Sequence, residues 1–191
     1  MVCSLIKPEI DESARFSYVS KFWQRLAGGK RITYDNTVFL SERNTADTNY
    51  SLAYLMKSKN AFPKGVDIKK VLEFYFQICS LQCNTNTMSI IAATLANGGV
   101  NPLTNERVLE TNTVKDVLSI MNSCGMYDYS GEFAFNVGLP AKSGVSGAIM
   151  IIVPGVMGIC TYAPPLDKYG NSSKGVQFCQ LISKHYDLNY F

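Results

Sequence analysis

The chain has 191 residues, 47% of them hydrophobic and 17% charged, with a formal net charge of +3. That apolar share fills a sizeable core and excludes a disordered chain. The cations are scattered and the densest basic spot, Lys30-Arg31, is too small for a nucleic-acid footprint, so no nucleic-acid partner is expected.

The opening Met1-Val-Cys-Ser-Leu-Ile starts directly in apolar residues and shows no secretory leader pattern; it reads as a cut inside an element. Residues 12–27 place Phe16, Val19, Phe22, Trp23 and Leu26 at helical spacing, with Gly28-Gly29 as the stop. Residues 30–43 read as irregular. A second helix is predicted over 45–59, a third from Asp67 with Ile68, Val71, Leu72, Tyr75 and Cys79 inward, and a fourth over 85–96 before Gly98-Gly99. A fifth starts at Thr113 and turns Val114, Val117, Leu118 and Met121 inward, with Gly125 beyond its end.

From Gly131 the period changes. "EFAFNVGL", "GAIMIIV" and "VMGICTYA" are rich in β-branched and aromatic residues and read as strands, the last two joined at Pro154-Gly155. The apolar run 148–162 is shorter than a membrane span and is broken by that turn, so no membrane insertion is expected. A final helix over 172–186 can cover the sheet. The fold class is therefore α+β: a mainly helical part, 1–130, then strands and a covering helix, 131–191. With strands confined to 131–162, the sheet is expected to be incomplete and to keep an exposed edge.

Most of the six cysteines lie in apolar stretches and read as core thiols in a reducing compartment. Cys79-x-x-x-Cys83 lacks the further ligands a tetrahedral metal needs, and the single His185 sits near the end of an amphipathic helix as a structural residue. Neither a metal nor a cofactor is expected. Gly98-Gly99 follows a helix, so it is a stop and not a phosphate cradle. What remains is Lys142-Ser143-Gly144, a triplet that begins the active-site strand of serine acyl-enzymes. The matching Ser-x-x-Lys occurs as Ser4-Leu5-Ile6-Lys7 against Pro8, a poor setting for a nucleophile and its amine base. A polar turn before a strand stays open as the alternative for the triplet.

Longer blocks go further. "FLSERNTADTNYSLAYLMKSK", "FYFQICS", "AATLANGGVNPLTNERVL", "MNSCGMYDYSGEFAFNVGLPAKSGVSGAI" and "PPLDKYGNSSKGVQFC" run in order along the chain. Together they resemble the glutaminase family, above all its animal members, over essentially the whole sequence. The resemblance implies a serine-dependent, β-lactamase-like fold that hydrolyses L-glutamine to L-glutamate and ammonia. It implies that the nucleophilic Ser and its Lys lie upstream of Met1, that ankyrin repeats follow Phe191 in relatives, and that Ser4-x-x-Lys7 is a decoy. The chain alone is then expected to be inactive.

Residue by residue, the resemblance gives Glu42 and Asn49 as substrate contacts, Tyr75 and Tyr127 as the two active-site tyrosines, and Val145 as the backbone N–H of the oxyanion hole. Lys142 is carried over through its place in Lys-Ser-Gly. All are expected to line one concave site. A carboxylate can hold the substrate's ammonium, an amide offers both donor and acceptor, a phenol can relay a proton, and preorganised N–H groups stabilise the oxyanion. The family also implies a homotetramer, phosphate activation and a mitochondrial location. A β-lactamase or penicillin-binding enzyme of the same fold, and a truncated subunit that only joins complete protomers, remain as rivals.

Overall fold

The structure is a computed structural model of the chain and describes residues 1–190. The chain divides into two compact units: Met1–Gln24 with Arg31–Cys83, and Arg25–Lys30 with the chain from Asn84 onward. The elements are helices and short antiparallel strands, as an α+β class requires.

The first unit contains α1 (Val2–Leu5), the greater part of α2 (Glu12–Leu26), α3 (Asn36–Asn44), α4 (Asp47–Ser58) and α5 (Ile68–Cys79). Two short strands, β1 (Thr33–Tyr34) and β2 (Leu81–Gln82), pair antiparallel through Thr33↔Gln82 and Tyr34↔Leu81. Ala46, Ala53, Ile68, Leu72 and Phe76 form the core, with Phe39, Tyr50, Phe62 and Val66 packed against it. Arg15 is buried but satisfied. It donates to the carbonyls of Ile6 at 3.0 Å and Cys3 at 2.6 Å, and its guanidinium lies 4.1 Å from the Phe74 ring centre.

Residues 30–43 are not irregular: they hold β1 and most of α3. Asp35 starts this helix by accepting from the N–H groups of Thr37 at 2.8 Å and Val38 at 3.2 Å, while its other oxygen takes Gln82 Nε2 at 2.8 Å. Nothing in α3 is fully buried, so it carries no apolar stripe to announce it. Thr45, read as the start of the second helix, instead closes α3 by donating its N–H to the Ser41 carbonyl.

The second unit contains α6 (Thr85–Ala96), α7 (Thr111–Cys124), a 3₁₀ turn (Tyr127–Tyr129), α8 (Ser130–Val137), β3 (Ala141–Ser143), β4 (Ala148–Val153), β5 (Met157–Tyr162) and α9 (Ser173–His185). The sheet runs β3-β4-β5, all antiparallel, with Lys142↔Met150, Ser143↔Ile149 and Val153↔Met157 in register. β4 is covered on both faces. Ile149, Ile151 and Val153 pack with Phe133 and Val137 of α8 and Val176 and Cys179 of α9. Ile152, with Met150, packs with Ala92, Leu95 and Ala96 of α6 and Val114 and Met121 of α7. This double burial explains the unbroken apolar run in the sequence.

"EFAFNVGL" is a helix and not a strand. Phe133, Phe135 and Val137 alternate, which a strand would place on one face. In α8 Phe133 and Val137, one turn apart, enter the core while Phe135 is 83% exposed. Gly138 ends the helix at φ +65°. The cysteines also depart from expectation: Cys179 alone is buried among the described residues, and Cys79, Cys83 and Cys124 are exposed.

Gly158 of β5 lets α6 approach the sheet, since a Cβ there would fall on the backbone of Ala92 and Ala93. Gly158→Val is expected to destabilise the second unit by about 3 kcal/mol or more, because backbone cannot step aside as a side chain can. Gly131→Ala, in open space on α8, is the control and should be neutral to mildly stabilising in urea unfolding. Burial pushes the Cys179 thiol up to about 12. The folded protein therefore holds a proton that the unfolded chain sheds from about pH 9 upward. The contribution of this thiol is intact below that pH and is lost as pH rises toward about 12. Unfolding midpoints at pH 7 and pH 10 should fall further apart in wild type than in Cys179→Ala.

Candidate functional site

In the first unit, Glu42 stands half-buried on α3 and Tyr75, expected inward but 37% exposed, stands on α5; the two helices pack on each other. The Tyr75 phenol is held well above the usual tyrosine range. Its hydrogen bond with the Cys79 thiol is the main cause, burial adds to it, and the Glu42 carboxylate acts in the same direction. The two residues thus share one electrostatic environment. Arg43, the neighbour that could have claimed Glu42 as a surface pair, lays its guanidinium 5.5 Å from the Phe39 ring centre. Asn49 lies half-buried in the first turn of α4.

The second unit brings together Tyr127, Lys142 and the turn that carries Val145. Tyr127 opens the 3₁₀ turn with φ +53°, a left-handed backbone that costs a non-glycine residue about 1–3 kcal/mol. Its ring is 41% exposed, and the Lys142 ammonium sits 4.7 Å from the ring centre. Lys142 extends from β3 and donates to the Ser143 carbonyl. Burial lowers its pKa from the ordinary lysine value, with the Cys124 sulfur opposing that shift.

Between β3 and β4 the chain turns through Gly144–Gly147, with Gly147 N–H donating to the Gly144 carbonyl at 2.9 Å and Gly144 N–H to the Ala148 carbonyl at 3.0 Å. Gly147, at φ +94°, comes so close to Ala163 and Pro164 that a Cβ would not fit. Val145 sits on this pinned turn with its side chain 66% exposed, and its N–H finds no acceptor among the described residues. An N–H left open on a fixed turn is the kind of donor an oxyanion needs.

Comparison with known proteins follows the same lines. The sequence profile of the glutaminase family matches residues 1–191. The chain belongs to the glutaminase family. It is 47% identical over 191 residues to the mitochondrial liver isoform of glutaminase from Mus musculus, covering 100% of this chain and 32% of the mouse protein. It is 44% identical over 188 residues to the glutaminase of Clostridium tetani, covering 98% of this chain and 60% of that protein. The crystal structure of Mglu in its glutamate form superimposes with a TM-score of 0.88 at 34% identity, over 95% of this chain and 41% of that one. The chain therefore spans about a third of the length of its animal relatives. Its α+β architecture is β-lactamase-like, as in these glutaminase structures.

Two features of this glutaminase chain lay outside the sequence reading. Cys79, expected as a core thiol, is exposed and is the largest influence on the Tyr75 phenol. A spacing of four on one helix, Tyr75 to Cys79, was the available signal. The left-handed backbone of Tyr127 had no signal, because tyrosine has no preference for that region.

Among the described residues no group of His, Cys, Asp and Glu is placed to hold a metal ion. His185 lies exposed in the last turn of α9, edge-on to Tyr186 with ring centres 4.6 Å apart. Because the Cys79 thiol is the largest influence on Tyr75, Cys79→Ala should bring that phenol back toward the ordinary tyrosine range. Titrating ¹³C-labelled tyrosines by NMR, with Tyr75→Phe to assign the signal, measures the shift; an unchanged titration would separate the two residues.

Proposed function

We propose that this chain carries the substrate-clamping and oxyanion side of a serine amidohydrolase site that converts L-glutamine to L-glutamate and ammonia. The observation that carries the reading is the Lys142–Tyr127 stack, three residues before an open N–H at Val145, in a chain of the glutaminase family. In this reading Glu42 holds the ammonium of glutamine by a charge-assisted hydrogen bond, Asn49 adds a donor and an acceptor, and Tyr75 borders the same carboxylate. Tyr127 holds or relays the proton that leaves the nucleophile. Val145 N–H stabilises the oxyanion that forms on the side-chain amide carbonyl.

Ser4 does not serve as nucleophile in this reading. Its hydroxyl donates to the Met1 carbonyl at 2.6 Å, while Lys7 pairs with Glu9 at 3.8 Å and lies 5.6 Å from the Tyr18 ring centre. The nucleophile is then supplied from outside these 191 residues. The proposal extends to a homo-oligomer, supported by Leu52 and Leu55, one turn apart on α4 and both more than half exposed. It also extends to a mitochondrial location, on the likeness to the mouse liver isoform.

The test is glutamate release from the chain alone and from a chimera in which it replaces the matching segment of the Clostridium tetani glutaminase. The chain alone should stay at background, with Ser4→Ala no different. The folded chimera should turn over glutamine. There Tyr127→Phe should lower kcat/KM by roughly 10²-fold, and Glu42→Gln by about tenfold or more. A folded chimera without glutaminase activity, or one indifferent to both substitutions, would overturn the proposal. Turnover by the isolated chain that vanishes in Ser4→Ala would reassign the nucleophile.

A further inference from the structure

Tyr127 keeps an unfavourable backbone conformation, and buried polar residues around it hold that conformation. We infer that Ser130 and Asn171 are positioning residues that lock Tyr127 in its left-handed conformation and so hold its ring over Lys142. Both are buried: Ser130 is 7% exposed and Asn171 0%.

Ser130, at the start of α8, bridges the strained residue. Its Oγ accepts from Met126 N–H at 3.0 Å and donates to the Tyr127 carbonyl at 2.6 Å, so one hydroxyl ties the peptide before Met126 to the peptide after Tyr127. Asn171 holds the carbonyl between these two groups, which also accepts from Tyr129 N–H at 3.2 Å. Its Nδ2 donates to the Met126 carbonyl at 3.1 Å. One residue earlier, the Gly125 carbonyl accepts from Ser143 N–H at 3.1 Å, anchoring the approach to Tyr127 to the residue that follows Lys142.

Asn171 is itself held. Its backbone N–H donates to Asp167 Oδ1 at 3.0 Å and its carbonyl accepts from Asp167 N–H at 2.7 Å, closing the loop just before the N-cap Ser172 of α9. The same loop backs the ring: a Cβ on Gly170 would sit 3.8 Å from its edge. The N–H of Met126 and the carbonyls of Gly125, Met126 and Tyr127 are therefore all claimed while φ of Tyr127 is positive. Releasing any clamp lets φ return to the favoured negative region, and the ring swings off Lys142.

The inference rests on the reading of Tyr127 as a site residue, but its test needs no turnover and so fails or stands separately from that reading. The lysines of the 191-residue protein are reductively ¹³C-dimethylated and followed by NMR, with Lys142→Arg assigning the Lys142 signal. With its ammonium 4.7 Å from the Tyr127 ring centre, that signal carries a ring-current shift that Tyr127→Leu removes. Ser130→Ala and Asn171→Ala should each move it most of the way to the Tyr127→Leu position with circular dichroism unchanged, and Ser130→Thr, which keeps the hydroxyl, should restore it. Asn171→Asp, isosteric but without the Nδ2 donor, gives the same readout should the alanine variant not fold. A signal unmoved in the Ser130 and Asn171 variants, even with lowered stability, overturns the inference. So does a wild-type signal already equal to that of Tyr127→Leu.

Discussion

Strand β4 has no solvent face, and the site-bearing half of this chain depends on that constraint. Ile149, Ile151 and Val153 commit one side to α8 and α9, and Ile152 commits the other to α6 and α7. A one-residue slip of the β3–β4 register would exchange the two sides of β3. Lys142 opposes Met150, while Ala141 and Ser143, on the other side of β3, are buried. The register set by an apolar strand therefore decides that Lys142 projects toward Tyr127 and that Ser143 stays inside. The position of a charged group is fixed here by the packing of uncharged ones.

The second constraint is the close approach of backbones. Gly125 brings the end of α7 against the Ala141 carbonyl, where a Cβ would not fit, and its own carbonyl takes the Ser143 N–H. This contact places the segment that leads into Tyr127 directly beside Lys-Ser-Gly. A positive φ at Tyr127 then turns the ring back over the lysine instead of away from it. The Gly125–Ser143 contact thus sets the segment that holds the strained tyrosine beside the strand that holds the lysine. An ammonium that desolvation already disfavours gains from an aromatic face.

Where packing leaves a periodic mark, the sequence is a sufficient guide. The helix over 85–96 and the one begun by Asp67 bury apolar stripes and carry side-chain caps, so spacing and capping residue agree. Helix α3 buries nothing fully, and its only local signal is Asp35. In α8 the sequence is ambiguous in principle: residues 133, 135 and 137 satisfy a period of two, and 133 with 137 also satisfy a helical turn. Tertiary burial decides, and it leaves Phe135 outside. The candidate site is harder to read, because Glu42, Asn49 and Tyr75 have no local pattern of their own and stand out only by resemblance to glutaminases. The residues around Tyr127 are harder still. Ser130 and Asn171 are ordinary polar residues in the sequence, and their role exists only once the backbone of Met126 and Tyr127 lies within reach.

Local structure, not spacing, explains why Ser4-x-x-Lys7 and Lys142-Ser143-Gly144 differ so much in value. A serine activated by lysine needs both on one helical face, one turn apart, with the amine desolvated enough to accept a proton. Helix α1 ends at Leu5, and Lys7 lies beyond it at φ +42°, exposed and paired with Glu9. Ser4 is buried and spends its proton on a main-chain carbonyl of its own turn. Neither condition holds. Lys142, by contrast, is held by its strand at a fixed register against Met150, and desolvation shifts its pKa downward. The Ser-x-x-Lys spacing is therefore chemically empty at one end of the chain. At the other, a bare triplet gains meaning from the strand that carries it and the tyrosine that faces it.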